Sequence, residues 1–185
     1  GGRTRDDDWT PGHRERKGRW DAFGARLDLP MGLEFGRGHL LPEASEKILG
    51  EPGLDFVIGS CHNLDEAAGG RDFYLLPYHP LEDGYRALDN YFQSMLALAD
   101  SPCYEEVGHA IHPLRRMNGP HDPPSLDRYR DQIREILRLA IQSGRGIEIN
   151  TWKGQTLREW IPILRDYREL GGEIPPGGSD AHAPE

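Results

Sequence analysis

Apolar residues along this chain follow two rhythms. Short apolar runs of strand length recur between longer stretches whose apolar residues fall three and four apart, the spacing of a helix face. LDLPMGLEFG (27–36) reads as a short strand that delivers Glu34 at its end. A polar helix follows from Pro42 through EASEKIL. In LDFVIGSCHN (54–63), Phe56, Val57 and Ile58 make a compact strand, with Gly59-Ser60 read as its stop. A Gly-rich loop, DEAAGGRD, leads into FYLLPYHP. YRALDNYFQSMLALAD (85–100) places Leu88, Phe92, Met95, Leu96 and Ala99 on one helical face.

YEEVGHAIHPL (104–114) is a short strand running into a loop, and a Pro-rich linker, GPHDPPS, precedes the helix LDRYRDQIREILRLAIQSG. Ser125 suits its N-cap and Gly144 its stop. GIEIN (146–150) reads as a strand, TLREWIPILRDYRELGG as a helix that tolerates Pro162 near its start, and IPPGGSDAH as a strand and loop. The order strand, helix, strand, helix, strand, helix, strand predicts an α/β fold with a mainly parallel sheet, open or closed into a barrel. Residues 1–26 are charged and Gly-rich without a periodic pattern, so they form a lead-in, helical or disordered, to a domain over 27–185.

Composition narrows the class without deciding it. The 185 residues suit one core, with 36% apolar and 29% charged residues. A net charge of −9 gives no electrostatic reason to bind a nucleic-acid backbone. No apolar run approaches the roughly 20 residues of a membrane-spanning helix. With two cysteines, Cys61 and Cys103, and no export signal at the N-terminus, a reducing cytosol is the expected location.

The chemistry lies at the strand ends. Glu34, His62, His109 and the pair Asp180/His182 each fall at or just beyond a predicted strand, and parallel strands bring their C-terminal ends to one face. Imidazole with carboxylate is a ligand set for Zn, Mn or Fe. Singly these residues mean little, since a lone histidine at a strand end is more often a hydrogen-bonded loop or core residue. Together they predict a metal site. Arg115 and Arg116, and Lys153 after GIEIN, are candidate cations for a phosphate, although each also suits a solvated surface. His112 reads as a packing position ahead of a pocket-lining one beside His109, Cys61 as a small core residue, and Asn150 and Trp152 as loop-shaping residues.

GSCHN, VGHAIHPLRR, GIEINTWKG and GGSDAH, in this order and spacing, resemble the PHP (polymerase and histidinol phosphatase) superfamily, in its histidinol-phosphatase-like branch, over about residues 27 to 182. The resemblance implies a distorted seven-stranded βα barrel with a cluster of up to three divalent metals, Mn, Zn or Fe. It implies that Glu34 bridges two metals and that His62 and His109 complete the second, with Asp180 on the first and His182 on the third. It further implies that Glu34, His109 and Asp180 serve catalysis, and that water activated by the metals attacks a small phosphomonoester, histidinol phosphate, in histidine biosynthesis. A nucleotide-directed phosphoesterase and an inactive truncated metal-binding domain are the alternatives. The family's opening H-x-H strand has no counterpart before Glu34, where His13 is the only histidine. The expectation is therefore a domain truncated at both ends that binds fewer metals, one of them well.

Overall fold

The computed structural model describes residues 30–117, 124–152, 156–173 and 177–178. Strands β1 (Gly32–Gly36), β2 (Phe56–Ser60), β3 (Glu106–Val107) and β4 (Gly146–Ile147) form a parallel sheet in sequence order. Parallel neighbours in sequence order require a crossover between each pair. Helices α1 (Pro42–Leu49), α2 (Leu81–Asp100), α3 (Leu114–Met117), α4 (Arg130–Gln142) and α5 (Leu157–Glu169) lie between or after the strands. The fold is α/β with a parallel sheet, as the alternation predicts.

The core lies between the sheet and the long helices. Ile133, Ile136, Leu137 and Ala140 of α4 are buried at helical spacing, and they meet a face of α2 that carries Leu88, Phe92, Met95 and Ala99. Burying each large side chain contributes roughly 1.5–3 kcal/mol. Ser125 caps the 3-10 turn ahead of α4 by accepting the Asp127 N–H, and Gly144 ends the helix at φ +68°. Both roles match the sequence reading.

Three local expectations fail. Gly59-Ser60 does not stop β2, because the strand runs through both residues. Gly59 serves packing instead: a Cβ there would lie 2.9 Å from Tyr104 Cβ and 3.1 Å from Leu98 Cδ1, both buried. Gly59→Ala is therefore expected to cost about 1–3 kcal/mol by overpacking, measured as a lowered urea midpoint. An unchanged midpoint would mean that Tyr104 and Leu98 can move aside.

GIEIN is not one uninterrupted strand. After β4 the chain passes Glu148 and pairs again as β5 (Ile149–Asn150), now in parallel with β6 (Gly177–Gly178). Pro162 lies well inside α5 rather than near its start, on the exposed side of the helix.

Candidate metal centre

β1 and β2 run in register, pairing Glu34 with Ile58. The chain leaves β2 through buried Cys61 to His62, and leaves β3 through Gly108 to His109. These exits bring Glu34, His62 and His109 to one point. Glu34 Oε1 lies 2.9 Å from His62 Nε2 and 2.8 Å from His109 Nε2, and the two Nε2 atoms are 3.0 Å apart.

Hydrogen bonds with neutral imidazoles cannot satisfy that triangle. If both rings donate to the carboxylate, two N–H groups face each other. If one ring donates to the other, the acceptor ring turns a lone pair toward the carboxylate. A cation among the three atoms removes the conflict, and one oxygen with two imidazole nitrogens is a donor set for Zn or Mn. The residues present therefore fit a divalent metal.

His109 is held by its backbone. Its φ is +24°, a left-handed value rare for a residue with a Cβ. Its N–H donates to Glu148 Oε2 at 3.0 Å, and its carbonyl accepts the buried Tyr91 hydroxyl at 2.9 Å and the His112 N–H at 2.8 Å. Strained backbone persists where its surroundings over-determine it, and such positions cluster at functional sites.

His112 belongs to this cluster. A nitrogen from each of His62, His109 and His112 falls within 4.8 Å of the others, and the His112 ring centroid is 4.8 Å from that of His109. The H-x-x-H spacing in HAIH was the available signal, since one turn of helix sets positions three apart on the same side. The packing reading of His112 is incomplete: its ring is nearly buried and also lines the cleft.

Burial works to raise the Glu34 pKa, but hydrogen bonds from His109 and His62 outweigh it and hold the carboxyl well below the usual range. His112 is pushed down to about 2, first by burial and then by its neighbours His109, Arg115 and His62. Its imidazole is neutral near pH 7, the form that binds a metal.

The cluster forms the floor of a cleft of about 330 Å³, whose lining adds Asp72, Tyr74, Arg115 and Trp152. Arg115 lies over the Trp152 ring at 4.7 Å, and Arg116 over Tyr74 at 4.5 Å. Arg115 lines the cleft, whereas Arg116 is exposed and reaches it only through Tyr74. Asn150 shapes its loop, as expected. Its Oδ1 accepts the Trp152 N–H at 3.1 Å, and its carbonyl accepts the Trp160 indole N–H at 2.9 Å. Lys153, Asp180 and His182 lie outside the described residues.

Comparison with known proteins decides the family. The PHP domain model matches residues 16–152. The chain belongs to the PHP domain family. This PHP domain is 30% identical over 158 residues to a probable histidinol-phosphatase of Clostridium acetobutylicum, covering 82% of the chain and 60% of the relative. It is 26% identical over 168 residues to a histidinol-phosphatase of Lactococcus lactis, covering 86% and 60%. The chain thus spans about 60% of the length of these curated relatives.

The PHP domain also superposes on the crystal structure of histidinol phosphate phosphatase from Lactococcus lactis complexed with Zn, L-histidinol and phosphate. That match has TM-score 0.70 and 25% identity, and it covers 94% of this chain and 66% of the other. A crystal structure of a putative histidinol phosphatase from Listeria monocytogenes, at TM-score 0.74 and 17% identity, shares the fold, the match covering 94% of this chain and 71% of the other. Among the described residues, no helix is long and apolar enough to cross a membrane.

Proposed function

We propose that this PHP domain is a metal-dependent phosphomonoesterase that hydrolyses L-histidinol phosphate to L-histidinol and phosphate. The observation that carries the reading is the convergence of Glu34 Oε1, His62 Nε2 and His109 Nε2 within 3.0 Å of one another at the floor of a cleft that Arg115 lines. Substrate identity rests on the relatives, including one whose structure holds L-histidinol and phosphate.

In this reading Glu34, His62 and His109 hold a metal, with His112 beside them, and Asp180 and His182 add ligands. A divalent metal bound there lowers the pKa of water and offsets charge on the phosphoryl oxygens. The chain's own groups do the rest. Glu34 stays ionised between the two imidazoles, which keeps its donor oxygen available at neutral pH. Arg115, oriented by stacking on Trp152, presents a planar guanidinium that suits phosphate oxygens. Arg116 and Lys153 are the further candidate cations. The Glu148 and Tyr91 contacts fix His109 before substrate arrives, so its orientation costs nothing at the time of binding.

The test measures phosphate release from L-histidinol phosphate and from a mononucleotide, with Mn, with Zn and with a chelator. Release that needs metal and favours L-histidinol phosphate is the expected result. Preference for the mononucleotide would move the substrate to nucleotides. Metal binding without turnover would make the chain a metal-binding domain and end the phosphatase reading.

A further inference from the structure

Asp72 is a cleft residue that the metal chemistry leaves unexplained. It lines the same cleft as Arg115 and the histidines, yet a carboxylate beside a phosphate site repels the phosphoryl group. Glu34, the other lining carboxylate, is engaged by His62 and His109. Asp72 Oδ1 accepts the Tyr74 N–H at 2.7 Å, but among the described residues no salt bridge reaches Asp72 and its Oδ2 has no hydrogen-bond donor. Capping that turn needs an acceptor and not a charge, since serine or asparagine caps as well.

The position of Asp72 is fixed relative to the metal centre. Asn63 and Asp72 form an antiparallel bridge, the Phe73 N–H donates to the His62 carbonyl at 2.8 Å, and the Leu64 N–H donates to the Arg71 carbonyl at 2.9 Å. Phe73 is fully buried and packs edge-on against Tyr91 at 5.2 Å, the residue whose hydroxyl holds the His109 carbonyl. The carboxylate is thus tied to both histidine ligands through backbone and core.

We propose that Asp72 is the specificity-determining residue of the cleft: its carboxylate accepts a hydrogen bond from a cationic nitrogen of the substrate alcohol. It selects phosphomonoesters that carry a protonated amine or imidazole over those with a neutral alcohol. The phosphate half of this substrate class rests on the phosphomonoesterase reading above, whereas the cation half rests on Asp72 itself.

Calorimetric binding to the Mn-loaded chain separates the two halves. L-histidinol carries the cation without the phosphate, and glycerol phosphate the reverse. Asp72→Asn keeps the turn's cap and removes the charge, with Asp72→Ser as a second variant of the same design. Both are expected to weaken L-histidinol roughly ten- to hundredfold and to leave glycerol phosphate unchanged or slightly tighter. The proposal is overturned if wild type does not bind L-histidinol, if the variants bind it as wild type does, or if both ligands weaken equally. Should phosphate release be absent while L-histidinol binding still depends on Asp72, the phosphatase reading fails and the cation site stands.

Discussion

Glu34→Gln is expected to lower phosphate release by roughly 10²–10³-fold, the several kcal/mol that metal-assisted charge stabilisation supplies. One oxygen of Glu34 meets both imidazoles, so the substitution changes the charge at the point where the ligands converge. The amide keeps the shape but offers a neutral oxygen, a weaker donor to a divalent ion. It also removes the carboxylate whose ionisation His109 and His62 favour. Glutamine has nearly the same volume, so no cavity forms, and any loss of stability comes from removing the charge that the two imidazoles stabilise. Metal content and phosphate release, measured on the same preparation, check both parts. Full metal content with wild-type turnover would remove Glu34 from the centre.

Asp166→Asn is expected to cost about 2 kcal/mol of stability near pH 7. The Asp166 carboxylate is buried on α5, where Arg130 donates from Nε to Oδ2 at 3.1 Å and from Nη2 to Oδ1 at 2.8 Å, and Arg134 adds a third contact. The pair clamps α4 to α5. Breaking a buried pair costs about 3–5 kcal/mol, but both guanidiniums reach water, which lowers the figure. An asparagine would also turn an NH₂ toward guanidinium donors of Arg130 or Arg134 that the carboxylate accepts from.

Arginine hydrogen bonds, Arg130 first, outweigh burial and lower the Asp166 pKa. A group with a lowered folded pKa contributes stability above its unfolded pKa, about 3.9, and loses it as pH falls through the folded value. The difference in melting temperature between wild type and Asp166→Asn should therefore be full near pH 7 and shrink below about pH 4. A difference that stays constant down to pH 3 would assign the cost to lost geometry, not charge.

The strand and helix pattern was legible where burial is one-sided. Leu88, Phe92, Met95 and Ala99 marked α2, and Ile133, Ile136 and Leu137 marked α4, because a single face of each helix meets the core. Gly59 misled as a strand stop, and a second packing glycine lies in a helix turn that the pattern did not reveal. The helix read from Tyr85 begins at Leu81 and includes buried Gly84, where a Cβ would sit 3.1 Å from Pro124 Cγ. Gly84 and Gly59 serve close packing, and nothing local in the sequence separates such a glycine from a breaker. Glu34, His62 and His109 were legible as metal-capable residues that the structure brings together; His62 and His109 lie just past β2 and β3 as read, whereas Glu34 sits in the middle of β1 and not at its end. His112 was underweighted because H-x-x-H shows its meaning only once the chain after β3 is known to turn. Asp72 was not singled out, since it looked like one more acid in a polar loop, and its tie to His62 depends on a backbone pairing across the intervening residues.

The pairing of residues 71–73 with 62–64 carries a mechanical consequence. The wall that bears Asp72 and the candidate ligand His62 form one body, not a lid hinged over a separate floor. A shift of His62 as the metal comes or goes would carry that wall with it. With a metal at His62, cleft shape and metal occupancy would then be a single variable, and a molecule entering the cleft would meet a wall set by the ion.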